Sequence, residues 1–321
     1  MSQSPTPLTA EQTAALLPYG ALSDEIGAVL RANAAGTLHV PERTVVDLPR
    51  GTLLSMPASD ADLAIVKVVT VHPGNAGSEL PTISGEVIVA SAADGRRLGI
   101  LHGGTVTGRR TAALSLLAAR ELRRDERWAA AEGPLLVIGA GTQGRTHAEA
   151  LAELPGVEEI VVASRTIDRA RELAEHLNRQ GHSATAIPPS GADFDRAVGA
   201  AAVVVTATTS ERPVLKGGLR PDAIVCAVGA YRHDMAELGA EVVATAGDVY
   251  VDSLAGAKDE AGDLIAAALQ GDWSWDLAVP LIDLLLDEAP QPVAAKAGHA
   301  VFKSVGHALY DLAAARVAFP K

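Results

Sequence analysis

Cysteine, aromatic side chains and basic clusters are all scarce in this chain, and each scarcity closes off a class of protein. One cysteine stands among 321 residues, so no internal disulfide forms and a disulfide-stapled scaffold is excluded. It is Cys226, inside the apolar run Ala223-Ile224-Val225-Cys226-Ala227-Val228, where it reads as a small core residue. Aromatics make up only 3% of the residues, which leaves Ala, Val and Leu to fill the core. Lys and Arg number 27 against 39 Asp and Glu, a net charge of −12, and no Lys/Arg-rich run occurs; nucleic acid and anionic membrane are poor partners for such a chain. No apolar run reaches the roughly 18 residues of a membrane-spanning helix. The opening MSQSPTPLTAEQ lacks the charged-then-apolar pattern of a leader, so the expectation is a soluble, cytoplasmic protein. No metal site is expected either: His102, His147, His233, His299 and His307 show neither H-E-x-x-H spacing nor cysteine partners. A G-x-S-x-G nucleophile elbow is also missing.

What is present begins with Leu135 to Gly144. The apolar run Leu135-Leu136-Val137-Ile138 leads into Gly139-Ala140-Gly141-Thr142-Gln143-Gly144, a full G-x-G-x-x-G, and a helix-like segment follows to Leu154. The first glycine allows a tight turn, the second lets a pyrophosphate approach the backbone, and the third lets helix pack on strand. The phosphates then rest on the free N–H groups of the helix N-terminus. The second strand, Ile160-Val161-Val162-Ala163, ends in Ser164-Arg165-Thr166 rather than in the Asp or Glu that accepts from a ribose 2′-OH. A guanidinium cannot accept, but it clamps a 2′-phosphate, so NADPH is expected, with NADH as the weaker alternative. The competing reading makes Arg165 a surface residue of the next helix, paired with Asp168.

Two rhythms divide the chain. Residues 42–104 read as closely spaced strands (44–46, 52–54, 65–71, 86–90 and 98–101) without intervening helices, which predicts a mostly antiparallel sheet. Thr9-x-x-Gln12 matches a capping box before it, and Ser23-Asp24-Glu25 can start a second helix. A long helix is expected over Thr111–Arg124. Strands near 135–139, 159–163, 183–187, 202–207, 223–228 and 248–252 then alternate with helices. That pattern predicts an α/β, Rossmann-type, doubly wound parallel sheet. The tail from Gly298 to Leu309 reads as a helix returning to the first part. The division is 1–113 plus a returning 300–321 for an α+β part, and 114–299 for the dinucleotide-binding part. A substrate cleft is expected between the two parts, at the carboxyl ends of the parallel strands.

Three groups of cations in the first part stand out in an acidic chain. Lys67 interrupts Ala64-Ile65-Val66-Lys67-Val68-Val69 and reads equally as a functional residue or as the solvent face of the strand. Arg109-Arg110 precede the expected Thr111 helix, where the dipole disfavours positive charge unless an anion binds. A solvated pair beside Glu121 is the other reading. Arg43 alone is uninformative. Together these residues are able to cradle a small carboxylate.

These segments resemble the ornithine cyclodeaminase/mu-crystallin family. The resemblance is carried by Arg43-Thr44-Val45-Val46, Lys67 to Asn75, Gly108 to Ala113, Gly139 to Gln143 and Phe302-Lys303-Ser304-Val305-Gly306, in the family's order over nearly the whole chain. It implies a homodimer in which 1–113 and the returning 300–321 form an α+β substrate-binding and dimerisation domain around the inserted Rossmann domain of 114–299. It also implies that Arg43, Lys67 and the arginine before Thr-Ala-Ala, Arg110 rather than Arg109, bind the substrate carboxylate, with Thr82 as a further polar contact. The expected cofactor contacts are Gly139, Gly141, Thr142, Gln143, Ser164, Arg165, Thr166, Thr206, Ala207, Thr208, Val228 and Ser304. One departure is informative. Cyclodeaminases resemble one another in a Gly-Gly-Asp-Cys-Pro-Gly-Lys segment with a catalytic aspartate, whereas this chain has Val228-Gly229-Ala230-Tyr231-Arg232-His233-Asp234 and places Tyr231 there. That form is similar to the ketimine reductase branch. The resemblance therefore implies an oxidoreductase that uses NADPH to reduce cyclic ketimine carboxylates, with Lys67 and Asp234 as candidate catalytic residues. Asp234 reads either as a proton relay or as an exposed loop carboxylate. Cyclodeaminase, alanine dehydrogenase-like and non-catalytic NADPH-binding readings stand as alternatives.

Overall fold

The computed structural model describes residues 6–75, 78–129, 132–286 and 297–320. The first five residues of the stretch read for a leader lie outside them. The chain divides into two compact units, Met1–Leu114 with His307–Lys321, and Ser115–Gly306. Among the described residues no helix is long and apolar enough to cross a membrane.

In the first unit, α1 (Ala10–Ala15) starts at the expected capping box: Gln12 N donates to Thr9 Oγ1 (3.2 Å) and Thr9 N donates to Gln12 Oε1 (2.9 Å). α2 (Tyr19–Ala34) begins four residues before the expected Ser23, with Pro18 at its N-cap. Proline fixes φ at a helix entry and lacks the N–H that would go unpaired there, so it starts this helix without a capping side chain. Ser23 is wholly buried inside α2. Five strands follow as a meander, β1 (Thr44–Leu48), β2 (Gly51–Ser59), β3 (Leu63–Val71), β4 (Ile83–Ser91) and β5 (Arg97–His102), every pair antiparallel. In β3 the buried positions alternate as Leu63, Ile65, Lys67 and Val69, so Lys67 lies on the core face and not on a solvent face. The last helix of the chain, α11 (Ala308–Ala318), packs on β2 and β3 and against α2.

The helix after β5, α3 (Gly103–Leu122), corrects the expected start at Thr111. The His102 ring accepts from Thr105 N (3.2 Å), capping the helix directly at the strand end. Arg109 and Arg110 therefore sit two turns inside α3, and the dipole argument for an anion does not apply to them.

The second unit alternates strand and helix: β6 (Leu135–Ile138), α4 (Thr142–Leu151), β7 (Glu159–Ala163), α5 (Ile167–Arg179), β8 (Ser183–Ile187), α6 (Ala192–Ala200), β9 (Val203–Thr206) and β10 (Ile224–Ala227). It continues with α7 (Ala240–Ala244), β11 (Asp248–Val251), α8 (Leu254–Glu260), α9 (Gly262–Gln270), β12 (Ala278–Pro280), α10 (Leu281–Leu285) and β13 (Ala300–Lys303). The sheet is parallel throughout, in the order β12-β11-β13-β10-β9-β6-β7-β8. Strands β6, β9, β10 and β13 are buried at every position, as a parallel sheet covered on both faces requires. Burial pushes the Cys226 thiol up to about 12, which keeps it an unreactive core group. The expected helix over 298–309 is corrected: Ala300-Val301-Phe302-Lys303 is a strand between β10 and β11, and the chain rejoins the first unit at His307. A four-residue segment is too short to show a periodicity of its own, so the open slot in the sheet decided its form.

Candidate active site

Strand order reverses at β6, which lies between β7 and β9, and ligands of doubly wound sheets bind at such a point. The glycine turn is built there. Gly139 has φ +121°, its N–H donates to the Ala163 carbonyl (2.8 Å), and a Cβ on it would stand 2.4 Å from the Ala207 oxygen. A Cβ on Gly144 would overlap the Gly139 carbonyl at 1.8 Å, so α4 packs on the strand only because glycine is there. Gly141 is the N-cap of α4 and makes no side-chain cap, and a Cβ on it would meet nothing within 4 Å. The result is an uncapped helix N-terminus facing open space, with backbone donors from Thr142 and Gln143; these residues fit a dinucleotide pyrophosphate. The Gln143 carbonyl is also contacted by His147 Nδ1 (2.7 Å), and His147 Nε2 contacts Ser115 Oγ (3.0 Å), a buried brace under the turn.

At the end of β7, Ser164 is half-buried, while Arg165 and Thr166 are exposed. Ser164 Oγ accepts from Thr166 N (3.3 Å). Asp168 pairs with Arg171 (3.0 Å), not with Arg165. At the ends of β9 and β10, the sequence-predicted Thr206 and Thr208 turn their hydroxyls to a residue that no local pattern singled out. Glu237, wholly buried, accepts from Thr206 Oγ1 (3.1 Å), Thr208 N, Thr208 Oγ1 (2.8 Å), Gly229 N (2.7 Å) and Ala230 N (3.2 Å). Its burial pushes the carboxyl above the usual range, with nearby Lys303 pulling it back. Beneath it Asp263 accepts from Leu238 N (2.8 Å) and from Glu237 N, and pairs with Lys303 (2.7 Å). A third carboxylate, Asp252, accepts from Ser304 Oγ (2.7 Å) and Gly306 N (2.8 Å). The hydroxyls of Thr206, Thr208 and Ser304 thus brace the loops at this edge of the sheet. Asp234 is exposed and doubly bonded to Arg232 (2.9 and 3.1 Å), which holds its carboxyl below the usual range. Held ionised in this way, it carries no proton to donate near neutral pH.

Two of the cations singled out in the first unit, Lys67 and Arg110, meet on another residue that the sequence did not single out, Asp311 of α11. Its Oδ1 accepts from Lys67 Nζ (3.1 Å) and lies 3.6 Å from Arg110 Nε. Lys67 and Arg110 are 3% and 7% exposed and Asp311 is wholly buried, so the carboxylate sits behind the two cations. Arg110 Nη1 is buried without a hydrogen-bond partner, and the guanidinium lies 5.8 Å from the centre of the Tyr310 ring. Burial pushes the Lys67 ammonium below the usual lysine range; Asp311 opposes that shift and Arg110 adds to it. Arg109 is engaged elsewhere, where its Nε donates to the Leu17 carbonyl (2.7 Å) and the guanidinium stacks 3.8 Å over Tyr19. Because Thr44 pairs with Ser55 and Met56 with Lys67, the residue before Thr44, Arg43, comes level with Lys67, roughly 10 Å away across two strand spacings. Thr82 is not brought to Lys67. Its carbonyl accepts from His72 N (2.8 Å), five residues and roughly 17 Å along β3. The one sequence signal for Asp311 was a lone acid in the apolar helix ALYDLAAARVA.

Two cations and one carboxylate leave a single positive charge in a nearly dry place, the complement of a small monocarboxylate. Comparison with known proteins gives this arrangement its context. The family model for the ornithine cyclodeaminase/mu-crystallin family matches residues 6–321. The chain is 42% identical over 320 residues to Delta(1)-pyrroline-2-carboxylate reductase 1 of Burkholderia multivorans, covering 99% of this chain and 96% of that protein. It is 41% identical over 317 residues to the Delta(1)-pyrroline-2-carboxylate/Delta(1)-piperideine-2-carboxylate reductase of Azospirillum brasilense, covering 98% and 96%. Among solved structures, an archaeal alanine dehydrogenase dimer with bound NAD superposes with a TM-score of 0.81 at 25% identity, covering 98% of this chain and 95% of the other.

Proposed function

The chain belongs to the ornithine cyclodeaminase/mu-crystallin family, and on that premise we propose that it reduces cyclic ketimine carboxylates with NADPH. Its substrates are Δ1-pyrroline-2-carboxylate, giving L-proline, and the six-membered Δ1-piperideine-2-carboxylate, giving L-pipecolate. The observation that carries the reading is the buried Lys67–Arg110 pair on Asp311, in a chain whose relatives of 41–42% identity are reductases of these imines. Arg110 and Lys67 hold the substrate carboxylate, and Arg43, level with Lys67 across the sheet, joins them. Fixing the carboxylate fixes the ring, which must bring its imine carbon about 3–3.5 Å from the hydride donor. Bound nicotinamide supplies the hydride. The one proton on nitrogen is the one the iminium form of the substrate already carries, and Lys67 is our candidate to supply it where the imine binds neutral. A protonated imine is a strong electrophile, so the protein contributes chiefly orientation rather than acid catalysis.

The cofactor turn supports a nicotinamide dinucleotide, and Arg165 at the end of β7 supports NADPH over NADH. We also assign a homodimer: the archaeal alanine dehydrogenase it resembles is a dimer, and β1 is an edge strand with Val45 and Val46 exposed. Reaction class is tested by two assays on one preparation. With either cyclic imine the protein should oxidise NADPH rapidly, and with L-ornithine and NAD it should release no ammonia, because Tyr231 stands where cyclodeaminases carry their catalytic aspartate. Ammonia release from ornithine would overturn the reading in favour of a cyclodeaminase. Silence in both assays would favour a non-catalytic binding protein.

A further inference from the structure

A wholly buried aspartate among the apolar residues of a helix needs a reason. α11 buries Ala308, Leu309, Tyr310, Leu312, Ala313, Ala314 and Ala315 around Asp311. Exchanging a buried ion pair for apolar side chains of similar volume is often neutral or stabilising, so stability alone does not call for a carboxylate at this position. Its partners do. Lys67 is carried on the core face of β3 and is 3% exposed. An isolated ammonium in such surroundings sheds its proton, whereas an arginine beside it does not. The charged groups acting on Lys67 are Asp311 from α11 and Arg110 from α3, while the neighbouring strands oppose it with Met56 and Val87. Burial first, and Arg110 beside it, push Lys67 toward the neutral form, and a neutral amine beside a carboxylate ligand contributes little. Asp311 behind them opposes that push on Lys67 and gives both cations a common oxygen. Asp311 Oδ1 lies 3.1 Å from Lys67 Nζ and 3.6 Å from Arg110 Nε.

We propose that Asp311 is the positioning residue of the carboxylate site: from behind, it holds Lys67 charged and aligned with Arg110, and so sets the alkaline limit of substrate-carboxylate binding. The proposal rests on the reading of Lys67 and Arg110 as the carboxylate cradle. Asp311 itself, having no exposed surface, touches no ligand.

The test uses 2-furoate, a five-membered-ring carboxylate with no group that titrates near or above neutral pH, so that any pH dependence belongs to the protein. Its affinity for the full-length protein saturated with NADPH is measured by calorimetry as the pH is raised. In the wild type the affinity should be level and then fall about tenfold per pH unit, the slope of one proton lost. Asp311→Asn removes the charge that favours the ammonium, so the break should move to lower pH by at least about one unit while NADPH affinity stays unchanged. Lys67→Arg replaces the titrating group with one that does not titrate, and the break should disappear. A D311N curve that superimposes on the wild type overturns the proposal, as does a break that survives in K67R. Should D311N not fold, Asp311→Ser, which leaves room for water beside Lys67, is read in the same way. If neither folds, Asp311 belongs to the fold itself and the proposal falls. Binding is measured without turnover. A protein that binds 2-furoate as described but reduces no cyclic imine would therefore defeat the proposed reaction and leave the role of Asp311 standing.

Discussion

Arg165 and Arg110 are the same residue type in opposite settings, and the setting decides what each is able to do. Arg165 is exposed at the end of β7, where a guanidinium gains from a phosphate only if the ligand is held beside it by other contacts. The proposed NADPH preference gives it a selective rather than an essential role. Reversing its charge in Arg165→Asp should repel a 2′-phosphate and offer acceptors to ribose hydroxyls. The ratio of kcat/KM for NADPH to that for NADH should fall at least roughly tenfold, a change of about 1.4 kcal/mol in relative transition-state binding. Steady-state kinetics with both cofactors checks this, and an unchanged ratio would move phosphate recognition to another residue. Arg110, by contrast, is buried with Asp311 at 3.6 Å and an unpartnered Nη1, so its charge is already desolvated before a ligand arrives. A ligand carboxylate then meets a donor that has little water left to lose.

At the scale of elements, the carboxyl edge of the parallel sheet is organised by buried acids rather than by the hydroxyls that the sequence offered as ligands. Glu237 joins the loop after β9 to the loop after β10 by accepting from Thr206, Thr208, Gly229 and Ala230 at once. An amide in its place presents an NH2 to groups that are themselves donors, and each buried donor left unpaired costs about 1–3 kcal/mol. Glu237→Gln should therefore loosen both loops while leaving the Gly139–Gly144 turn intact. Equilibrium binding should show NADPH affinity weakened by roughly tenfold or more, while 2′,5′-ADP, which carries only the adenine half, binds as in the wild type. Equal losses for both ligands would mean that Glu237 supports the whole unit and not these two loops.

At the scale of the molecule, β1 presents a surface that a lone chain does not explain. It is an edge strand, four of its five residues are exposed, and Val45 and Val46 are 54% and 45% accessible. Leu80 and Ile83, in and just before β4, add exposed apolar area to the same unit. An uncovered edge with apolar side chains is an aggregation hazard unless another chain covers it. Sedimentation equilibrium should give twice the chain mass. Placing charges on both faces of the edge in the double variant V45D/V46D should shift the protein to monomer. A monomeric wild type would refute the homodimer.

The chain announces what is local and leaves unsaid what is assembled. The Gly139–Gly144 turn, the capping box at Thr9 and Gln12 and the alternation of strand and helix were legible because spacing of a few residues carries their physics: φ, close approach, capping and periodicity. The doubly wound class followed from that rhythm. Periodicity stopped being informative where elements are short or buried on every side. Ala300–Lys303 read as helix and became a strand because β10 and β11 left it a slot. Lys67 read equally as a functional residue or a solvent-facing interruption, and the helix that returns over β3 makes its face the core. Resemblance favoured Arg110 over Arg109, and the structure gives the physical difference: Arg109 is tied to Leu17 and Tyr19, while Arg110 stands beside Asp311. Asp311 lies 244 residues from the lysine it holds. No local pattern records a pairing at that separation, since what makes a buried carboxylate favourable is the cation opposite it, and only the folded chain brings the two together.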